Sequence, residues 1–92
     1  MTKAEIVEKI VTMTGVNKKE VLAVVEAFME VVKNSMIQKE NVYLRGFGTF
    51  LVKRRAAKTG RNIQKNTTVM IEAHDYPGFK PAKSFAEKMK AE

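Results

Sequence analysis

The chain has 92 residues, a formal net charge of +7 at pH 7, and neither cysteine nor tryptophan. This length corresponds to one domain near the lower limit for burying a self-sufficient core, so support from a second copy is expected. The absence of cysteine excludes disulfides and thiolate metal sites. The sequence contains no bilayer-length apolar run and no signal-peptide pattern, which favours a cytoplasmic location.

The positive charge is concentrated in the second half of the chain. Residues 1–42 contain six basic and six acidic side chains, whereas residues 43–92 contain eleven basic and four acidic ones. Between residues 43 and 71 there are seven Lys or Arg and no Asp or Glu. Such a segment repels itself unless a polyanion lies beside it, so this stretch is the first candidate for a binding surface.

Two helices are predicted in the first half. Thr2 and Glu5 form a capping-box pattern, and apolar residues at helical spacing predict a helix over 3–14 that ends before Gly15. A second helix begins after Asn17 and ends near the polar segment 38–41. The apolar stripe of this second helix is too broad for one short neighbouring helix to cover, which predicts that it also packs against a partner chain or a sheet. The stripe comprises Val21, Leu22, Val24, Val25, Phe28, Met29, Val32 and Met36.

The pattern changes to that of β-strands after residue 41. Residues 42–44 favour a strand, and the glycines on either side of Phe47 indicate a tight turn. In the strand that follows, alternation places Lys53 and Arg55 on one face and Arg54 on the other. This strand is predicted to continue through Ala56 and Ala57.

The hairpin is predicted to extend into a basic arm, from about residue 45 to residue 65. Thr59–Gly60 opens a polar tip, and residues 67–73 strongly favour a returning strand. Pro77 and Pro81 limit the last extended segment to a sheet edge. A short Lys-rich helix is predicted over 82–90.

The cations of residues 53–61 are spaced along an extended ribbon, which is narrow enough to enter or embrace a DNA groove. The alternative is an edge strand that charge protects from aggregation. A single sign of charge favours phosphate binding, because edge protection works equally well with mixed signs. Ile63, an apolar residue in the polar tip, is either a wedge that inserts between base pairs or an ordinary surface isoleucine.

The sequence offers little for catalysis. His74 is the only histidine, no second His or Cys completes a metal site with it, and no serine is placed as a nucleophile. We therefore expect no enzymatic activity, no metal and no other cofactor.

Two short stretches, GFGTF at residues 46–50 and RAAKTGRN at residues 55–62, resemble the HU and integration host factor family of bacterial nucleoid DNA-binding proteins. Together with the flanking helices, the resemblance extends over essentially the whole chain. It implies an α+β fold with an N-terminal helical hairpin, a β-sheet bearing a long protruding hairpin arm, and a short C-terminal helix, in an intertwined dimer. The single domain 1–92 would then comprise a helical dimerisation base (1–40), a saddle and arm (41–81) and a C-terminal helix (82–92).

The resemblance also implies where DNA and the second subunit bind. Phosphate contacts would line the arm, the saddle and their flanks. The predicted DNA-binding residues are Lys3, Arg45, Gly46, Lys53, Arg55, Lys58, Arg61, Asn62, Ile63, Gln64, Lys65, Lys80 and Lys83. The predicted dimer core contains Phe28, Val32, Phe47, Phe50 and Phe79.

The predicted function is to bind duplex DNA through its minor groove, with low sequence specificity, and to bend or compact it in the bacterial nucleoid. The partners are double-stranded DNA and an identical subunit, or alternatively a paralogous one, with no membrane and no small-molecule substrate. Ile63 stands where most of the family has a wedge proline. An alternative function is therefore that the protein coats DNA electrostatically without bending it sharply. A basic module that docks on an acidic protein surface is the other alternative.

Overall fold

The computed structural model describes residues 1–62 and 67–91, with residues 61–62 and 67–69 described by their backbone. Ile63, Gln64 and Lys65 of the predicted tip lie outside the described residues. The chain divides into two compact units, Met1–Asn34 and Ser35–Glu92. The three-part organisation expected from the sequence stays a prediction. No helix in the described part is long and apolar enough to cross a membrane.

The first unit is the helical hairpin that the sequence predicts. Helix α1 spans Lys3–Thr14 and helix α2 spans Lys18–Ile37, so that the last turn of α2 belongs to the second unit. The Thr2 hydroxyl accepts a hydrogen bond from the Glu5 amide at 3.3 Å, and Gly15 ends α1 with φ 74°. Asn17 caps α2 by accepting from the Lys19 amide at 2.8 Å. Both helices therefore begin where a side chain satisfies an otherwise unpaired amide.

The described part of the first unit buries three side chains, all of them valines: Val7, Val21 and Val32. Much of the apolar stripe on α2 remains exposed in the single chain, with Phe28 at 45% and Val24 at 68%. Exposed apolar surface of this extent is typical of a chain that associates with another. It agrees with the predicted need for a partner.

The second unit contains five strands and a helix. The strands are β1 Val42–Leu44, β2 Gly48–Arg55, β3 Lys58–Asn62, β4 Thr67–Ile71 and β5 His74–Pro81, followed by helix α3 Lys83–Lys90. An antiparallel sheet has the order β1-β2-β5, while β3 and β4 form a separate two-stranded ribbon, here called the arm. Strand β5 lies at a sheet edge, as its two prolines predict.

The prediction of one continuous ribbon was wrong in its boundaries. Strand β2 ends at Arg55 rather than continuing through Ala56 and Ala57, and the returning strand ends at Ile71 rather than at residue 73. The two interruptions, 56–57 and 72–73, separate the sheet from the arm. Alanine and glutamate, which occupy these four positions, are both depleted in strands, so neither interruption favours pairing.

The polar tip also begins later than predicted. Thr59 and Gly60 lie inside β3, where they pair with Met70 and Val69 of β4. The β-favouring returning strand supplies these backbone partners, and this pairing overrides the turn preference of a Thr-Gly dipeptide.

Four phenylalanines join the sheet to α3. The Phe47 ring lies 5.2 Å from Phe79 and 5.9 Å from Phe85, and the Phe50 ring lies 4.9 Å from Phe79. Such separations are favourable for aromatic pairs. Sequence analysis did not single out Phe85. Phe47 is still 45% exposed, and its assignment to a dimer core with Phe28, Val32, Phe50 and Phe79 stays a prediction.

Gly48 is required by close packing, which gives a testable expectation. A Cβ atom at Gly48 would stand 2.6 Å from the Lys80 carbonyl oxygen and 2.6 Å from the Phe79 ring. We expect Gly48→Ala to lower the free energy of unfolding by about 1–3 kcal/mol, the usual cost of overpacking. Denaturant unfolding followed by circular dichroism measures this loss.

Gly46→Ala is the matched control, because Gly46 has φ 83° but no atom lies within 4 Å of its added Cβ. Only backbone strain then opposes the substitution. A smaller loss for Gly48→Ala than for Gly46→Ala would contradict the packing argument.

Candidate nucleic-acid interface

The pairing of β2 with β5 sorts side chains onto two faces of the sheet. Lys53 is opposite Tyr76, and Arg55 is opposite His74. Since side chains alternate along each strand, every second pair shares a face. One face, here called the cationic face, carries Thr49, Leu51, Lys53 and Arg55 of β2 and His74, Tyr76, Gly78 and Lys80 of β5.

The opposite face is apolar along most of its length. Phe50 is paired with Phe79 there, and Arg54 is paired with Asp75 near the end of the sheet. Arg54 therefore lies on the other side from Lys53 and Arg55, which confirms the alternation predicted from the sequence.

Arg54 belongs to an ion cluster on this opposite face. Its Nη1 atom lies 3.1 Å from Oδ1 of Asp75, and the Lys39 Nζ atom lies 2.7 Å from Oδ2 of the same carboxylate. The hydrogen bond from Lys39 has the largest effect on the pKa of Asp75, and the one from Arg54 has the next largest. Both hold this pKa below its ordinary value. One carboxylate thus binds two cations, so the positive charge of Arg54 is only partly compensated.

The cations of the cationic face are arranged differently. Lys53, Arg55 and Lys80 are exposed, and none of them forms an ion pair with a carboxylate of the residues that the structure describes. The guanidinium carbon of Arg55 lies 4.9 Å from the centre of the Tyr76 ring. Lys53 extends its methylene groups over Gly78. Uncompensated charge is what a phosphate-binding surface needs, because lysine and arginine side chains must replace the counterions that are condensed on the phosphates.

The remaining predicted residues lie around this face and along the arm. Arg45 and Gly46 are in the turn between β1 and β2, Lys58 is exposed at the start of β3, and Lys83 begins α3. Arg61 and Asn62 occupy the last two positions of β3, opposite Thr68 and Thr67. Ile63, Gln64 and Lys65 lie beyond, outside the described residues.

Lys3 lies in the first unit, where its ammonium group forms an ion pair with Glu26. Both side chains are about half exposed. Any DNA phosphate that binds Lys3 would have to compete with this carboxylate. Its predicted contribution to DNA binding stays a prediction.

Several residues of this region were missed by sequence analysis. Tyr76 and Gly78 support Arg55 and Lys53 of β2, while Asp75 forms ion pairs with both Arg54 and Lys39. The register of β2 against β5 brings Tyr76, Gly78 and Asp75 to the cations of β2, and Lys39 joins them from the segment before β1. The pairing of Phe50 with Phe79, the large apolar residues of the two strands, is the signal that would have indicated it.

His74 is exposed on the cationic face at the start of β5. Its Nδ1 atom lies 3.2 Å from the Glu72 carbonyl oxygen, to which it donates a hydrogen bond. Among the described residues, no group of three His, Cys, Asp or Glu side chains is arranged to hold a metal ion.

Comparison with known proteins identifies the family. The sequence profile of the bacterial DNA-binding protein family matches residues 1–90. The chain belongs to this family. It is 39% identical over 90 residues to DNA-binding protein HU of Thermus thermophilus, covering 98% of this chain and 93% of that protein. It is 37% identical over 92 residues to integration host factor subunit beta of Shewanella amazonensis, covering 99% and 97% of the two chains.

The fold comparison leads to the same family. The structure superposes on the HU protein of an Anabaena HU–DNA cocrystal with a TM-score of 0.92, 35% sequence identity and 97% of each chain covered. The resemblance to HU and integration host factor and the predicted α+β fold are thereby confirmed.

The Asp75 cluster predicts a pH dependence of stability. The pKa of Asp75 is lowered in the folded chain, so its contribution to the free energy of unfolding is present above the ordinary aspartate pKa of about 3.9 and is lost as the pH falls through the lowered value. We expect Asp75→Asn to destabilise the protein near neutral pH, and the difference from wild type to shrink on acidification. Thermal unfolding across this pH range measures it.

Glu40→Gln is the control, because Glu40 is exposed in the same unit and forms no ion pair with the described residues. We expect Glu40→Gln to leave the loss of stability on acidification unchanged. A constant destabilisation by Asp75→Asn at every pH would contradict the ionic explanation.

Proposed function

We propose that this protein is an architectural component of the bacterial nucleoid, a dimer that binds duplex DNA through the minor groove with low sequence specificity and bends or compacts it. The observation that carries the proposal is the sorting of charge on β2. Among the residues that the structure describes, Lys53 and Arg55 have no carboxylate partner on one face, whereas Arg54 forms an ion pair with Asp75 on the other. A strand that was charged only for protection of an edge would not need this difference between faces.

Affinity in this proposal comes from phosphate contacts. Lysine and arginine side chains that replace condensed counterions on DNA release them to solution, so binding weakens as salt rises. The turn at Arg45, the cationic face, Lys58 of the arm and Lys83 of α3 supply the cations. Most of these contacts fix the position of the protein on the duplex and do not read its sequence.

Low sequence specificity follows from the groove that the arm would occupy. The minor groove distinguishes little beyond A·T from G·C pairs, because its hydrogen-bonding pattern is degenerate. Arg61 and Asn62, at the end of β3, are proposed to reach base edges there. Any preference would then arise from the shape and flexibility of the DNA.

Bending is assigned to Ile63, next along the chain from the last residue of β3. An apolar side chain inserted between base pairs costs a few kcal/mol of stacking, and the bent duplex then contacts more protein surface. Without insertion the same cations would coat DNA electrostatically. The proposed function contains no enzymatic step.

Arg54 and Arg55 form a matched pair that tests the proposed surface. Arg55→Ala removes one phosphate contact from each subunit of the proposed dimer, so we expect weaker DNA binding and a less steep slope of log affinity against log salt, by about 0.9 per subunit. Arg54→Ala should leave this slope unchanged, because Arg54 lies on the opposite face and binds Asp75. Fluorescence anisotropy titrations of one duplex at several salt concentrations measure both.

Equal effects of the two alanine substitutions would contradict the assignment of the DNA-binding face. A wild-type affinity that does not vary with salt would contradict phosphate binding itself, and would favour the protein-docking alternative.

A second pair of variants separates binding from bending. We expect Ile63→Ala to bind duplex DNA but bend it less, since the wedge is truncated, whereas Arg61→Ala should weaken binding to linear, nicked and bent DNA alike. Fluorescence energy transfer between the two DNA ends, measured at saturating protein, reports the bend. Unchanged transfer with Ile63→Ala would show that DNA is coated without a wedge.

A further inference from the structure

Tyr76 stands beneath one of the DNA-binding cations of the cationic face. The guanidinium carbon of Arg55 is 4.9 Å from the centre of the Tyr76 ring, within the range of a cation–π contact. In the register of the sheet, Tyr76 is directly opposite Lys53, so Arg55 reaches it as a diagonal neighbour on the same face. Diagonal neighbours across antiparallel strands are within reach when one is aromatic and the other is long.

Contact with the ring restricts the Arg55 side chain and leaves its N–H donors available for a ligand. A planar guanidinium can contact a ring with its face while its N–H donors, which lie in its plane, stay available for another partner. An exposed arginine otherwise samples many rotamers, and binding to a phosphate must restrict them. A ring that restricts the side chain before DNA arrives reduces this entropy loss.

The neighbouring cation is held by the same strand. Gly78 follows Tyr76 by two residues on β5, and a Cβ atom at Gly78 would stand 2.8 Å from the Lys53 Cε atom and 2.9 Å from its Cδ atom. The missing side chain of Gly78 leaves a groove for the Lys53 methylene groups, whose ammonium group stays exposed at the end. Alternate residues of β5 thus support alternate cations of β2.

We propose that Tyr76 is a positioning residue of the DNA-binding surface, which holds the Arg55 guanidinium against the sheet with its N–H donors free for a backbone phosphate. The proposal rests on the proposed function, because it describes how one cation of that surface is prepared for DNA. Tyr76 acts through Arg55 and needs no contact with DNA of its own.

A double-mutant cycle tests the proposal with one duplex DNA and the full chain. We expect Tyr76→Leu to weaken binding by about two- to fivefold, the equivalent of an exposed cation–π contact. Tyr76→Phe should bind like wild type, because it keeps the ring. In an Arg55→Ala background, Tyr76→Leu should cause no further loss. Since Arg55 is still present in the single variant Tyr76→Leu, the salt slope should keep its wild-type value.

Tyr43→Leu is the control for general loss of an aromatic side chain. Tyr43 is 73% exposed on β1 of the same sheet, and within the described part of the chain no arginine or lysine stacks on its ring. Its effect should be the same with and without Arg55.

Three results would overturn the proposal. Tyr76→Leu could weaken binding equally in the Arg55→Ala background, which would show a role independent of Arg55. Tyr76→Phe could bind as weakly as Tyr76→Leu, which would indicate that the hydroxyl contacts DNA. Tyr76→Leu could bind more tightly, which would show that the ring competes with DNA for Arg55. If wild type fails to bind DNA or shows no salt dependence, the proposed function fails instead.

A measurement on free wild-type protein decides the structural premise even where Tyr76→Leu does not fold. Ring currents of Tyr76 should shift the Arg55 Hδ protons upfield of those of Arg45 in nuclear magnetic resonance spectra. Equal shifts for the two arginines would show that Arg55 is not held on the ring, and would overturn the proposal.

Discussion

The antiparallel pairing of β2 with β5 determines the chemistry of the candidate interface. Because side chains alternate along both strands, one register decides which cations share a face and which aromatic or acidic groups lie beside them. A shift of one residue would place Arg54 on the cationic face and Arg55 among the apolar residues. Large apolar side chains, above all Phe50 and Phe79, fix this register by packing against each other and against Phe47.

Charge on this protein acts by its placement more than by its total. A net charge of +7 favours binding to any polyanion. Within the described residues, the structure further distinguishes cations that have a carboxylate partner from cations that have none. Lys39 and Arg54 share the carboxylate of Asp75, and this cluster links the segment before β1 to the end of the sheet. Arg55 and Lys53 of the cationic face are instead supported by neutral neighbours, an aromatic ring and a glycine. Neutral support keeps a side chain in place and leaves its charge for a ligand.

Much of the local structure could be predicted from the sequence. The ends of α1 follow from Thr2 and Gly15, whose side chain and backbone conformation are local properties. The opposite orientation of Arg54 and Arg55 follows from alternation alone. The predicted strand boundaries at residues 56–57 and 59–60 were wrong, because whether a residue pairs depends on what the facing strand offers. The contacts of Tyr76, Asp75 and Phe85 could not be predicted, since residues far apart in sequence meet there only through the register.

The sequence by itself determined the fold class, the family, the concentration of cations between residues 43 and 71, and which neighbouring residues of β2 face opposite ways. These properties depend on composition, on short motifs and on periodicity, which are local. The tertiary structure alone decided which of the described cations form ion pairs, where the sheet gives way to the arm, and which side chain supports Arg55. Each of these depends on pairing between distant segments, because an ion pair or a stacked ring requires two side chains that only the folded chain brings within a few ångströms of each other.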